Sequence, residues 1–231
     1  MFKMLKQRAG RLVPDVVFWR TVKGLQVAHS TRNSPWAYSR GSLDGTIECE
    51  GIGEILRTLK PGVFWDAGCN LGYYSLYAAK LGWDVYSWDL GRRAIQLLQL
   101  SAARNQLKIT ANQKAFTDKP VYYRELDSAY AGNQVMEDPN GSLSMTWKDA
   151  AKKYPAPTLL KMDIEGAEIE FLKDEEFRQW IMDNQIVLAM EIHHPSSHYH
   201  LAQWPNAVCL ENRLLVLPAK DSAAAGRKAA A

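Results

Sequence analysis

The feature that most constrains the fold is an apolar strand that runs directly into a glycine loop and then into a helix, between residues 63 and 75. Gly68 lets the chain turn sharply after the strand, and Gly72 removes a Cβ where a ligand or a strand approaches the helix. Asp66 ends the strand, and open α/β sheets bind their ligands at the carboxyl ends of their strands. We therefore predict a ligand-binding loop here, with an ordinary tight strand-to-helix turn as the alternative.

The remaining chain alternates short apolar runs with helical stretches, which is typical of a parallel sheet with crossover helices. The pattern predicts core strands at residues 63–66, 84–89, 109–116, 158–163, 185–192 and 213–218, with a further candidate at 206–210. It predicts helices at residues 48–59, 71–81, 92–105 and 167–183, the last with a candidate break near Asp174. Thr146 and Asp149 resemble a capping box that opens another helix. The expected fold class is therefore α/β, with a mostly parallel twisted sheet and helices on both faces.

The two ends of the chain differ in composition from its middle. Residues 1–20 mix basic and apolar side chains around Pro14, which predicts two short helices. A cap packed over the core is the favoured interpretation, and a peripheral membrane contact is the alternative. We expect an N-terminal helical extension at 1–44, one domain at 45–219 and a disordered, low-complexity tail at 220–231. Because no apolar stretch suits a membrane span or a signal peptide, a cytoplasmic protein is the default expectation.

The charge of the chain argues against a nucleic-acid partner. The formal net charge is +3. The first 23 residues carry about +5 and the last twelve about +2, which leaves about −4 for the body. A nucleic-acid enzyme usually carries a basic stripe on its folded body. The three cysteines, Cys49, Cys69 and Cys209, are widely spaced, which favours buried or incidental thiols over a disulfide framework or a zinc site.

The loop pattern itself indicates which ligand it binds. A nicotinamide enzyme would show G-x-G-x-x-G, because the pyrophosphate rests on backbone amides at the helix start. Here the pattern is G-x-x-x-G preceded by Asp66, and an acid suits a ligand with an ammonium and a sulfonium better than one with two phosphates. Asp89 ends the second strand, at the spacing of an acid that binds both ribose hydroxyls. The prediction is S-adenosylmethionine, with the alternative that Asp89 only caps the helix that follows.

A second group of polar residues follows two later strands. Asp163 ends one strand before a glycine turn, and Glu191 and His193 end the next strand on the same side, since side chains alternate along a strand. Methyl transfer needs alignment of donor and acceptor and removal of the acceptor proton. We predict His193 as general base assisted by Glu191, with Asp163 near the transferring methyl. A carboxylate there could instead orient the histidine or hold a divalent metal such as magnesium.

Several alternatives stay open for this second group. Asp163 could only bind the cofactor's amino group or cap the following helix. Glu165 and Glu168 could be a solvated helix face or supports for the loop. Four histidines within eight residues could form a metal site, although such a loop is more often simply solvated: His193, His194, His198 and His200.

The two motifs together resemble the FkbM family of methyltransferases, which has the class I S-adenosylmethionine-dependent fold. The resemblance spans roughly residues 45–193. Residues 66–75 are similar to the family's D-V-G-A-N-x-G-Y-Y-S/T loop, and residues 160–168 to its L-K-x-D-x-E-G-x-E. Weaker matches lie at Glu48, at residues 115–118 and at residues 191–193. The pairing of the two motifs is far more specific than either alone.

The resemblance implies a Rossmann-like class I fold with an antiparallel C-terminal strand. It also implies cofactor contacts at ten positions: Glu48, Asp66, Gly68, Asn70, Gly72, Tyr73, Asp89, Ala115, Phe116 and Asp163. Adenine would pack near Ala115 and Phe116. This sequence departs from the family at Cys69, where alanine is usual, in the turn after Asp89, and at Thr146-Trp147.

The family acts on many acceptors, so the resemblance implies O-methylation of a small molecule, a sugar or glycan, or a lipid-type metabolite. We expect the acceptor site to involve the N-terminal segment and residues 122–140 and 193–204, whose aromatic side chains could stack on a ligand or simply pack. The rival functions are a nucleic-acid 2′-O-methyltransferase, a catalytically idle S-adenosylmethionine-binding module and a nicotinamide dehydrogenase.

Overall fold

The computed structural model describes most of the body of the chain, at residues 15–31, 49–124, 135–193, 200, 203–204, 207–210 and 213–216. The predictions at Glu48, His194 and His198 lie outside the described residues. So do the segments 1–14 and 32–44 of the predicted extension and the tail 220–231.

In chain order the elements are β1 (Val17–Val22), β2 (Leu25–Ser30), α1 (Cys49–Thr58), β3 (Val63–Ala67), α2 (Tyr73–Lys80), β4 (Asp84–Asp89), α3 (Arg92–Arg104), β5 (Thr110–Gln113), β6 (Phe116–Thr117), β7 (Tyr122–Tyr123), β8 (Ser142–Leu143), β9 (Met145–Thr146), α4 (Trp147–Lys153), β10 (Leu159–Met162), α5 (Glu168–Lys173), α6 (Glu175–Asp183), β11 (Val187–Glu191), β12 (Ala207–Leu210) and β13 (Arg213–Val216).

The central sheet has seven strands in the order β12-β13-β11-β10-β3-β4-β5. The five strands from β11 to β5 run parallel to one another. β13 pairs antiparallel with β11, and β12 pairs antiparallel with β13. This confirms the predicted α/β architecture, including the antiparallel C-terminal strand and the further strand at residues 206–210.

Helices cover both faces of the sheet, because side chains alternate along each buried strand. Phe64 and Leu159 lie in the core under α1, α2 and α3. Trp65 and Leu160, one residue further along the same strands, lie in the core under α4, α5 and α6. The carboxyl edge of the sheet therefore lies between two packed layers.

The prediction of helices in the N-terminal segment is wrong for residues 17–30, which form the antiparallel hairpin β1–β2. Lys23 and Gly24 both have positive φ, 47° and 75°, as a two-residue hairpin turn requires. The strand before this turn, Val17–Val22, is rich in β-branched and aromatic residues, which favour strands. The hairpin packs on α3, where the Ala28 amide donates to Ser101 Oγ at 2.8 Å. Within the described residues, the N-terminal segment therefore packs against the domain as a hairpin.

Two further boundaries differ from the predictions. The predicted strand 109–116 ends at Gln113, because Lys114 turns the chain with its amide bonded to the Asn112 carbonyl, and β6 then pairs with β9. The helix predicted from residue 71 begins at Tyr73, after two residues with positive φ.

The structure confirms two features predicted for the helices, the break near Asp174 and the cap at Thr146. The helix predicted at 167–183 is broken at Asp174, whose Oδ1 accepts from the Glu176 and Phe177 amides at 2.9 and 3.1 Å. Thr146 caps α4 by accepting from the Asp149 amide at 3.1 Å. Within the described segments, no helix has the length and apolar character needed to cross a bilayer.

Candidate functional site

The polar side chains of the predicted site gather at the carboxyl ends of β3, β4, β10 and β11, in two groups that we name by position. The loop half lies beside β3 and β4 and consists of Asp66, residues 68–72 and Asp89. The acidic half lies beside β10 and β11 and consists of Asp163, Glu165, Glu168, Glu191 and His193.

Gly68 is the point at which the two halves touch. Its φ is +74°, and a Cβ there would lie 1.7 Å from the Asp163 carbonyl oxygen. The amides of Gly68 and Cys69 both donate to the Trp88 carbonyl, at 2.9 and 3.0 Å, which fixes the turn. Cys69 is buried, as predicted, and burial raises the pKa of its thiol well above the ordinary value. The loop therefore crosses the end of β10 in backbone contact, which any side chain at Gly68 would disrupt.

Gly72 and Tyr73 both contact side chains of helices. Gly72 also has positive φ, and a Cβ there would lie 2.2 Å from Leu98 Cδ1. A side chain of α3, rather than a ligand or a strand, therefore occupies the space that Gly72 leaves. The Tyr73 ring is half-buried and lies parallel to that of Tyr77, with centroids 6.2 Å apart.

Asp66 points into the protein, behind the loop. It is fully buried, its Oδ2 accepts from Ser75 Oγ at 2.6 Å, and its Oδ1 lies 3.2 Å from Lys161 Nζ. Ser75 Oγ also lies 2.7 Å from Ser87 Oγ. Asp66, predicted as a cofactor contact, is therefore in contact with two buried side chains behind the loop, those of Ser75 and Lys161.

Asp89 and Asn70 form the ligand-facing part of the loop half. Asp89 Oδ2 accepts from the Asn70 amide at 2.8 Å, and Oδ1 from the Gly91 amide at 2.7 Å. Burial raises the pKa of Asp89 to about 6, although these two hydrogen bonds pull it down. Gly91 is the N-cap of α3 and has no side-chain cap, so Asp89 does not cap that helix. Each carboxylate oxygen keeps a lone pair for a ligand hydroxyl.

Asn70 adds a hydrogen-bonding atom that has no partner among the described residues. Its φ is +49°, and its side-chain Oδ1 is buried without a hydrogen bond. Buried polar atoms are normally hydrogen-bonded, so an isolated acceptor in a ligand-binding loop is evidence for a donor supplied from outside.

The predicted adenine contacts lie in the core. Ala115 and Phe116 are 2% and 3% exposed. The Phe116 ring packs against Trp65, Trp88 and Phe171, with centroids 6.3, 5.2 and 5.8 Å away. The Phe116 ring therefore packs in the core under the sheet and is not exposed beside the loop half.

Lys161 joins the two halves, and the sequence reasoning missed it. Its buried Nζ donates to the Gly68 carbonyl at 2.9 Å and lies 3.2 Å from Asp66 and 3.6 Å from Asp163. Burial alone lowers the pKa of Lys161, but the two carboxylates outweigh it and the pKa is raised. A lysine inside an apolar strand was the available signal, because a buried ammonium needs an anionic partner.

Glu168 supports the acidic half from below. It is fully buried and accepts from the Ile164 and Gly166 amides at 2.9 and 2.7 Å. Its Oε1 also lies 3.0 Å from His193 Nδ1. Of the two interpretations left open by the sequence, the supporting role is correct for Glu168.

His193 is surrounded by carboxylates. Its Nε2 lies 3.7 Å from Asp163 Oδ1 and 3.8 Å from oxygens of both Glu165 and Glu191. Burial of the ring lowers the pKa of His193, but the hydrogen bond to Glu168 and the surrounding negative charges outweigh it, so the pKa is raised. The predicted set of Asp163, Glu191 and His193 is thus brought together, with ligand atoms within 4.8 Å of one another.

Two protein families match parts of the chain. Residues 39–125 match the tellurite resistance protein TehB, and residues 110–207 match the methyltransferase FkbM domain. The second match confirms the predicted resemblance over that range.

Individual relatives were found in sequence and in structure. The ribosomal RNA small subunit methyltransferase C of Alcanivorax borkumensis is 35% identical over an alignment of 97 residues, which covers 39% of this chain and 28% of that protein. The crystal structure of a 16S rRNA N2 methyltransferase from T. thermophilus, in complex with AdoMet and guanosine, has a TM-score of 0.50 at 13% identity. That superposition covers 90% of this chain and 52% of the other, and it shows the fold.

Proposed function

We propose, from the premise that this chain has the Rossmann-like class I methyltransferase fold, that it transfers the methyl group of S-adenosylmethionine to a hydroxyl oxygen of a neutral small molecule, sugar or lipid-type metabolite. The observation that carries the proposal is the arrangement at one sheet edge. Hydrogen-bond acceptors suited to a nucleoside, at Asp89 and Asn70, lie beside the carboxylates that surround His193.

The loop half fits S-adenosylmethionine. Asp89 would accept from the ribose hydroxyls, because its two oxygens are held in place by backbone amides and each retains a lone pair. Asn70 Oδ1 would accept a donor from the bound molecule. Asp66 would act indirectly. It pairs with Lys161 and accepts a hydrogen bond from Ser75, and these contacts stabilise the loop. When bound, S-adenosylmethionine supplies a methyl group activated by the sulfonium charge.

The acidic half would receive the acceptor. With Glu168 bonded to Nδ1, the proton on that nitrogen is fixed and Nε2 is the atom available to a hydroxyl. His193 Nε2 would accept the hydroxyl proton, and Asp163 and Glu191 would stabilise the charged ring. Because the pKa of His193 is raised, more of the ring is protonated near neutrality than in an ordinary histidine. The base form therefore needs a higher pH.

RNA is the second candidate acceptor, and the match to a ribosomal RNA methyltransferase favours it. Against it, the acidic half gathers four carboxylates, Asp163, Glu165, Glu168 and Glu191, and the cationic groups that face them among the described residues are Lys161 and, when protonated, His193. This field repels a polyanion, and RNA binding depends on neutralising phosphates. We therefore propose a neutral hydroxyl acceptor over an RNA base.

Two measurements test the proposal. Calorimetric titration with S-adenosylhomocysteine should show one site, and Asp89→Asn should weaken binding about 10-fold because charged hydrogen bonds to ribose are lost. Transfer of labelled methyl should then be screened against neutral glycans, lipid-type hydroxyl compounds and ribosomal RNA. Failure of the folded protein to bind S-adenosylhomocysteine at millimolar concentration would overturn the proposal. Transfer to RNA alone would replace the proposed acceptor.

A further inference from the structure

The orientation of the His193 ring is fixed by Glu168, a buried residue behind the site. Glu168 is fully buried, and it holds Nδ1 of the ring at 3.0 Å while also binding two backbone amides. The ring therefore presents Nε2 toward the opening of the site. In protein metal sites, a histidine ligand typically donates its second nitrogen to a carboxylate in this way.

The atoms facing Nε2 have the spacing of ligands around a shared cation. Asp163 Oδ1 and Glu191 Oε1 lie 3.7 and 3.8 Å from it, beyond hydrogen-bonding distance. Octahedral ligands about 2.1 Å from a magnesium-type ion lie roughly 3 Å apart at right angles. Side-chain movements of a few tenths of an ångström at each residue would bring both oxygens to that distance from Nε2, and all three ligand atoms already lie within 4.8 Å of one another.

From this arrangement we infer a divalent cation site formed by a carboxylate oxygen of Asp163, a carboxylate oxygen of Glu191 and Nε2 of His193, for Mg²⁺ or Mn²⁺. The inference rests on the proposed function and assigns the acidic half a cofactor. Carboxylates favour these hard ions, and Mn²⁺ also accepts imidazole. The ligands come from the ends of two adjacent parallel strands, so the sheet itself fixes their separation.

The cation would change the role of His193 from proton acceptor to ligand. Its chemistry is that of a Lewis acid, which lowers the pKa of an acceptor hydroxyl. The hydroxyl O–H bond breaks and its proton leaves to solvent. The acceptor oxygen then forms a bond to the methyl carbon, and the sulfur keeps the electron pair of the bond that breaks. No oxidant or reductant is required.

The test uses the full chain, freed of metal with a chelator and desalted, and titrated with Mn²⁺ while free Mn²⁺ is followed by electron paramagnetic resonance. We expect one site, with Mg²⁺ as competitor. Asp163→Asn and Glu191→Gln should each weaken Mn²⁺ binding at least 10-fold. Glu168→Gln should weaken it about 10-fold through the ring orientation.

Glu170→Gln is the matched control, because Glu170 is an exposed carboxylate of α5 that pairs with Lys173. It should leave Mn²⁺ binding unchanged. Thermal unfolding and S-adenosylhomocysteine binding identify any variant that fails to fold. Asp163→Asn and Glu191→Gln decide the test, because their side chains are partly exposed and their substitution should leave the fold intact.

The outcomes separate this inference from the proposed function. Absence of Mn²⁺ binding, or equal binding in all variants, overturns the cation site. If S-adenosylhomocysteine still binds and methyl transfer survives the chelator, the proposed function stands with His193 as base. If Mn²⁺ binds in the expected pattern and S-adenosylhomocysteine does not, the cation site stands and the proposed function fails.

Discussion

The two halves of the site differ in how the negative charge of their carboxylates is balanced. In the loop half, Asp66 is paired with Lys161, and Asp89 accepts from two backbone amides. In the acidic half, three partly exposed carboxylates surround a single imidazole ring. The negative charge of the loop half is therefore balanced by the protein's own lysine and backbone amides. Among the described residues, the acidic half has more carboxylates than cationic groups, namely Asp163, Glu165, Glu168 and Glu191 against His193 and the shared Lys161.

Removing Lys161 should break this arrangement most severely. In Lys161→Met, Asp66 stays buried without its cation, and loss of one partner of a buried pair costs about 3–5 kcal/mol. Urea unfolding measures the loss. The double variant Lys161→Met with Asp66→Asn should recover part of it, since no buried charge is left unpaired. A single variant as stable as the wild type would contradict the view that Lys161 compensates the loop half.

Gly68→Ala should have the next largest effect, because it separates the backbones where the halves touch. Its Cβ would overlap the Asp163 carbonyl at 1.7 Å, and the positive φ adds strain. Together these predict a loss of about 2–4 kcal/mol in the free energy of unfolding. Gly82→Ala is the control, since Gly82 has φ of +90° with open space around it. It should lose only about 1–2 kcal/mol, and equal losses would disprove the contact.

The positions of the acids in both halves could be predicted from the sequence. Acids at strand ends placed Asp66, Asp89, Asp163 and Glu191 at one sheet edge, because parallel strands bring their carboxyl ends together. The alternation of side chains along β3 also predicts the direction of Asp66. Asp66 follows Phe64 by two residues, so the alternation that buries Phe64 under the helices also turns Asp66 toward Ser75.

Other features depended on tertiary contacts that a local pattern does not contain. The sequence predicts helices in the N-terminal extension, whereas residues 17–30 form a hairpin that packs on α3, far away in sequence. The partnership of Lys161 with Asp66 depends on β3 and β10 being neighbours in register, far apart in sequence. Burial of Phe116 depends on its strand leaving the sheet after Lys114.

The pH dependence of S-adenosylhomocysteine binding isolates the loop half. The pKa of Asp89 is raised to about 6, so lowering the pH from 7 to 5 protonates the acceptor of the ribose hydroxyls. Affinity should fall by up to about 10-fold over this range. The contribution of Asp89 to the free energy of unfolding should instead rise as the pH falls from 6 toward 4, because the folded state binds its proton more tightly, and the difference between the wild type and Asp89→Asn measures that contribution. Asp89→Asn should abolish the pH dependence of affinity, and an unchanged slope would contradict the assignment.

Glu165→Gln should have the smallest effect and sharpens the contrast with the loop half. The Glu165 carboxylate is 29% exposed and lies among other acids around His193. Removing one of several like charges at a partly exposed site should change the free energy of unfolding by no more than about 0.5 kcal/mol. Urea unfolding should show this beside the large loss in Lys161→Met. A loss of several kcal/mol in Glu165→Gln would mean that the acidic half is compensated as tightly as the loop half, and that it has no excess charge for a cation to balance.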